Sequence, residues 1–316
     1  MTAKLKWLAL GMLVFVVSFV GSAAVKLLHN PLASQYRIDW NEQIGTVHAD
    51  IAYGSGGQHK FDLYLPAVKK DTYGLVVYLH AGGFTSGDKV DDRQMLQWLA
   101  SQGYVAAGVN YTLRNEANPT ASVDSMSQEI KSAIPVIKQY AQTQGYTLDR
   151  MAVAGGSAGG TLALIYAYRD ADTSPIPVKM VFEMVGPASF YPEDWGIYGV
   201  DNNPQAAAGL FSVMSGKTIT PAMLGTPAFD DAVKNISSAM WVNADSVPAL
   251  IAHGRHDKIA PFASVRHLTD ALSRHGIAHD FIEFPHSGHG LQNDDKQYQQ
   301  YMQKVIQYLT TYLSSP

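Results

Sequence analysis

The chain has 316 residues, 23 Lys+Arg against 27 Asp+Glu, a formal net charge of -4 and no cysteine. That length suits one large domain with a substantial core. The near-balanced charge offers no footprint for nucleic acid, and the absence of thiols excludes disulfides, thiolate catalysis and cysteine-ligated zinc.

At the amino terminus, Lys4 and Lys6 precede an uncharged stretch from Trp7 to Val25 that Lys26 closes. Its length lies between the core of a signal peptide and a spanning helix, and Ser22-Ala23-Ala24 supplies the small residues a signal peptidase accepts. Residues 1–28 therefore read as a signal anchor or a signal peptide. The positive-inside rule places the rest of the chain at the extracellular face of the membrane, tethered if the segment stays and secreted if it is cleaved. Residues 29–45 read as a linker and residues 46–316 as the folded domain.

Within that domain, Val47 to Tyr53 and Phe61 to Leu65 are strand-like runs about a Gly54-Ser55-Gly56-Gly57 turn. The alternation in Phe61-Asp62-Leu63-Tyr64-Leu65-Pro66 suits an outer strand. Leu75 to His80 is a continuous apolar run, as expected of a strand covered on both faces, and it leads into Ala81-Gly82-Gly83-Phe84. A helix from Asp91 to Gln102 and a strand from Tyr104 to Val109 come next. Ser125 to Tyr140 has helical spacing, with Pro135 expected to kink it or mark its start. Met151 to Ala154 reads as a strand, the residues after Gly160 as a helix, and Val178 to Val185 as another strand.

The stretch from about 187 to 245 is broken by prolines yet rich in Phe, Tyr, Trp and Met. It is too long for an ordinary loop and too aromatic for disorder, so it reads as an inserted helical cap. Strands at Pro248 to His253 and Asp280 to Phe284, a helix from Ala263 to His275 and a terminal helix from Tyr298 to Tyr312 complete the chain. Repeated alternation of this kind predicts an α/β fold with a mostly parallel central sheet and helices on both faces. In such sheets, reactive groups gather beyond the carboxyl ends of the strands.

Three strand ends carry chemistry. Gly155-Gly156-Ser157-Ala158-Gly159 fits the strained strand-to-helix turn that presents a nucleophilic serine. A serine needs a base, and that base needs an acceptor to fix its tautomer. Asp257 and His289 come after later strands in the required order of nucleophile, acid and histidine. Asp280 and Glu283 compete for the acid role but sit inside a strand. His286 competes with His289, which two glycines flank, while His253 and His256 read as structural or loop residues. Gly82 and Gly83, together with the N–H of Ala158, are the expected oxyanion donors. A zinc set of His286, His289 and Asp257 is conceivable on donor chemistry, yet it leaves the serine turn and the glycine loop unexplained. The expected site therefore contains no metal and needs no cofactor.

With these residues in place, the sequence resembles the α/β-hydrolase esterase/lipase group that includes hormone-sensitive-lipase-like enzymes and bacterial carboxylesterases. The likeness rests on His80-Ala81-Gly82-Gly83, Gly155-Gly156-Ser157-Ala158-Gly159-Gly160, Gly254-Arg255-His256-Asp257-Lys258-Ile259-Ala260-Pro261 and Gly288-His289-Gly290, and it runs from about Val47 to the carboxyl end. Two positions depart from the group's pattern: Ala81 replaces a glycine, and Gly156 replaces an acidic residue beside the serine. The resemblance implies a serine carboxylesterase acting on small to medium acyl esters through an acyl-enzyme, with a small-molecule ester as its partner. A serine peptidase, a carbohydrate deacetylase and a non-catalytic tethered module are the competing readings.

Overall fold

The computed structural model describes residues 36–314. The expected signal or anchor segment, 1–28, and the first part of the expected linker lie outside the described residues. Among the described residues, no helix is long and apolar enough to cross a membrane. The chain divides into a unit Met1–Arg37 and a unit Ile38–Pro316. Residues 38–45, expected to be linker, thus belong to the folded unit: Trp40 packs edge-on against Tyr64 at 6.0 Å, and the Ala67 N–H donates to the Ile44 carbonyl at 2.8 Å.

The core of this unit is an eight-stranded sheet ordered β1-β2-β4-β3-β5-β6-β7-β8. The strands are β1 (Gly45–Ala52), β2 (Lys60–Pro66), β3 (Tyr73–Leu79), β4 (Val105–Val109), β5 (Leu148–Gly156), β6 (Val178–Met184), β7 (Ala249–Gly254) and β8 (His279–Phe284). β1 and β2 pair antiparallel, as do β2 and β4, and every later pairing is parallel. β3, β4 and β7 are buried along their whole length, which requires helices on both faces.

One strand assignment needs correction. β2 is not an outer strand: it lies between β1 and β4, and Phe61, Leu63, Tyr64 and Leu65 are all buried. Its alternation misleads because Asp62 is buried too, in an ion pair with the equally buried Lys89 at 3.1 Å. The edge strand on this side of the sheet is β1, which is mostly exposed and interrupted by a bulge at Asp50, where φ is 56°.

Helix α1 (Arg93–Ser101) comes after a short 3-10 turn, Lys89–Asp92. Helix α2 (Val123–Thr143) begins earlier than its spacing suggests because Ser122 and Ser125 cap it reciprocally. Pro135 neither starts nor ends this helix. It sits on the exposed face, where water can serve the carbonyl that proline leaves without an N–H partner. Helix α3 (Ala158–Ile165) is buried at every residue.

Between β6 and β7 the chain forms short 3-10 segments and two helices, α4 (Pro204–Ser215) and α5 (Pro227–Val233). This stretch has an aromatic centre in which Trp195 stacks on Phe190 at 5.3 Å and Phe211 meets Phe229 edge-on at 5.6 Å. Helices α6 (Phe262–Arg274) and α7 (Asp295–Tyr312) complete the unit.

Candidate active site

Because β3, β5, β7 and β8 run parallel, their carboxyl ends open at one edge of the sheet and deliver four loops there. β5 ends in Ser157, whose φ of 53° and ψ of -120° are rarely adopted by a residue with a side chain. The surroundings enforce this turn. The Ser157 N–H donates to the Met184 carbonyl at 2.8 Å, and its carbonyl accepts from the Thr161 N–H at 3.0 Å, which begins α3.

Two glycines make the turn sterically possible. A Cβ on Gly159 would stand 1.9 Å from the Leu79 carbonyl oxygen, and one on Gly155 would stand 2.5 Å from the Gly159 carbonyl carbon. Only glycine lets α3 press this closely against the end of β3. At Gly156 the nearest atom is 3.9 Å away, so the site has room for the side chain that the resembled group carries there.

The loops after β7 and β8 bring the two predicted partners to Ser157. Ser157 Oγ lies 2.8 Å from His289 Nε2, and His289 Nδ1 lies 2.8 Å from Asp257 Oδ2. With Nδ1–H donating to the carboxylate, Nε2 is left as the acceptor for the serine hydroxyl. Asp257 is buried, and its Oδ1 accepts the N–H groups of Ile259 at 2.8 Å and Ala260 at 2.9 Å. Burial alone would raise its pKa; hydrogen bonds from His253, His289 and Ile259 outweigh that and hold it well below the usual carboxylate range.

The glycine loop after β3 closes the other side. Gly82 has φ 128° and Gly83 φ 59°, and a Cβ on Gly82 would meet the Ser86 carbonyl oxygen at 1.9 Å. The Gly82 carbonyl accepts the N–H groups of Thr85 at 3.1 Å and Ser86 at 3.0 Å, which fixes the turn of the loop. Behind the loop, His80 stacks on Tyr111 at 4.3 Å, and the Tyr111 hydroxyl donates to the His80 carbonyl at 2.8 Å. Burial lowers the His80 pKa, so its neutral ring donates through Nδ1 to the Ala81 carbonyl at 2.8 Å. Ala158 is buried at the first position of α3, where helix N–H groups have no intrahelical acceptor.

The rival residues are engaged elsewhere. Asp280 bonds Lys304 at 3.0 Å and the Tyr308 hydroxyl at 2.9 Å, and Glu283 pairs with Arg255 at 2.7 Å. The exposed His286 pairs with Asp294 at 2.7 Å and so does not converge with His289 and Asp257. Among the described residues, no three His, Asp or Glu side chains gather as a metal ion would require.

Two neighbours of this cluster escape a reading by sequence alone. Asp294 anchors the histidine loop, accepting from the His286 N–H at 3.0 Å and the Ser287 hydroxyl at 2.6 Å. His253, read as structural, lies against Asp257. Its signal was present in the spacing to Asp257, one position short of a strand end, but a histidine inside an apolar run reads first as core.

Comparison with known proteins agrees with this architecture. Esterase B from Lactobacillus rhamnosis superposes with a TM-score of 0.66 at 20% identity, covering 94% of this chain and 96% of that one, which shows the α/β-hydrolase fold. Among curated relatives, Esterase LipQ of Mycobacterium tuberculosis is 22% identical over 76% of this chain and 56% of its own, and kynurenine formamidase of Salmo salar is 31% identical over 38% of each. The chain spans between 6% and 56% of the length of the curated relatives it matches. The BD-FAE family model matches residues 61–272, the span from β2 to α6 that contains the serine, the acid and the glycine loop, and the chain therefore belongs to the BD-FAE family of the α/β-hydrolase fold.

Proposed function

We propose that the chain is a serine carboxylesterase, exported and acting on small to medium acyl esters, with Ser157 as nucleophile, His289 as general base and Asp257 as the group that orients it. The observation that carries this reading is the unbroken run of two 2.8 Å bonds from Ser157 through His289 to Asp257. His289 Nε2 takes the hydroxyl proton as Oγ attacks the ester carbonyl, and the depressed carboxylate of Asp257 stabilises the imidazolium that forms. The N–H groups of Gly82, Gly83 and Ala158 receive the oxyanion. His289 then returns its proton to the leaving alkoxide, and water repeats the sequence on the acyl-enzyme. The segment between β6 and β7 serves as a cap that sizes the acyl pocket, and the apolar amino-terminal stretch carries the enzyme to the outer face of the membrane.

Ser157→Ala should lower turnover of p-nitrophenyl acetate and butyrate by about 10⁴-fold or more, with an unchanged circular dichroism spectrum. Persistent activity in that variant would reject the assignment. A second reading, hydrolysis of an aryl formamide, draws support from the likeness to kynurenine formamidase. Parallel assays on aryl acetates and N-formyl aromatic amines separate the two by their kcat/KM ratio.

A further inference from the structure

His253 is fully buried at the end of β7, and its ring approaches the same Asp257 oxygen, Oδ2, that His289 bonds. Its Nε2 lies 3.1 Å from the Ala260 carbonyl and 3.4 Å from Asp257 Oδ2. Both neighbours accept hydrogen bonds and neither donates, so Nε2 carries the proton. The other nitrogen, Nδ1, is buried and has no hydrogen-bond partner among the described residues. The ring therefore offers one N–H in a fixed direction, from Nε2. Phe262, edge-on at 5.7 Å, holds the plane of the ring. On the flanking strands, Glu283 is in register with His253 but pairs with Arg255, and Glu183 accepts the Gly186 N–H at 2.7 Å, so Asp257 is the acid this ring serves.

We propose that His253 is a positioning residue for the reaction: its Nε2–H, shared between Ala260 and Asp257, locks the acid loop and holds Oδ2 in line with His289 Nδ1. The Ala260 carbonyl ties the imidazole to the segment whose own N–H bonds Oδ1, so a single ring fixes both ends of the carboxylate. Each donor to Oδ2 also withdraws charge that His289 would otherwise feel, which gives the ring a measurable electrostatic effect as well as a geometric one. The proposal rests on the Ser157–His289–Asp257 reading.

The test compares His253→Phe, His253→Asn and His253→Gln in the full chain, with p-nitrophenyl acetate and pH profiles of kcat/KM. The Gln amide nitrogen reaches the place of Nε2, whereas Asn is too short and Phe has no donor. Phe and Asn should lower kcat about tenfold or more with KM within about twofold, and should move the acidic limb to higher pH, because a carboxylate with one fewer donor stabilises the His289 imidazolium better. Gln should keep the wild-type limb and most of kcat. Three variants that lose activity alike, with the limb unmoved and losses that track the melting temperature, would overturn the proposal. If the Phe variant does not fold, the contrast between Gln and Asn decides it. Asp257→Asn separates the two failures: full activity there rejects the triad itself, while lost activity there with unshifted His253 variants rejects only the role of His253.

Discussion

Glu183 shows how one buried side chain can set the pH range of the protein. It lies beneath the serine turn, where its Oε2 accepts the Gly186 N–H at 2.7 Å and fills the space that a Cβ on Gly160 or Gly186 would need. Burial raises its pKa from 4.5 to about 8, only partly opposed by that hydrogen bond. Between those two values the folded protein keeps a proton that the unfolded chain has lost, so the folded state binds more protons and stability falls as pH rises. The contribution is complete below about 4.5 and lost as pH rises through about 8, and over the whole window it amounts to a few kcal/mol. Glu183→Gln should remove the slope: urea unfolding should find the variant equal to wild type near pH 4.5 and more stable by roughly 2–4 kcal/mol near pH 8. Parallel stability curves for the two proteins would refute this. The convergence of Ser157, Asp257 and His289, to which the proposed chemistry is assigned, was legible in the sequence because each follows a strand in a fixed chain order, and that order survives without knowledge of contacts. Glu183 and His253 were not, because a polar residue inside a buried strand shows its purpose only when its neighbours across the sheet are known.

At the scale of elements, the same blindness misplaced β2. An alternating strand is read as half-exposed because a carboxylate is assumed to face water. Here Asp62 points inward, accepts the Asp50 N–H at 2.8 Å and meets Lys89 at 3.1 Å. The bulge in β1 turns Asp50 toward the same lysine, at 2.9 Å, so the edge strand is shaped around the ion pair. Such a pair adds little over an apolar replacement, but half of it is costly. Lys89→Met should destabilise the protein by about 3–5 kcal/mol in urea unfolding, and the double variant Asp62→Asn with Lys89→Met should recover most of that loss. Additive losses in the cycle would mean that the two groups act independently. Helix α2 teaches the complementary lesson: its apolar spacing revealed the helix despite Pro135, while its true start depended on the Ser122 cap, a local bond that spacing does not encode.

For the whole molecule, the question is how the stretch between β6 and β7 communicates with the chemistry. It has its own aromatic centre, so it can hold its shape, and its contacts include one to the loop that carries Asp257 and one to the helix that follows that loop. The Tyr198 hydroxyl donates to the Ile259 carbonyl at 2.7 Å, two residues from Asp257, and Asp194 meets His267 on α6 at 2.8 Å. Tyr198, Ile197 and Ile259 are all substantially exposed, which leaves an apolar rim beside the acid loop. If this rim receives the acyl chain, as the proposed cap requires, the tether matters for long chains and not for short ones. Tyr198→Phe keeps the ring and deletes only the bond; because the residue is half exposed, its effect on global stability should stay below about 1 kcal/mol. The expected result is a KM for p-nitrophenyl octanoate raised by about three- to tenfold relative to wild type, with KM for the acetate and kcat for both esters unchanged within about twofold. Equal effects on both esters would instead place the Tyr198 bond in the support of Asp257, and the inserted segment would then be scaffold rather than the wall of an acyl pocket.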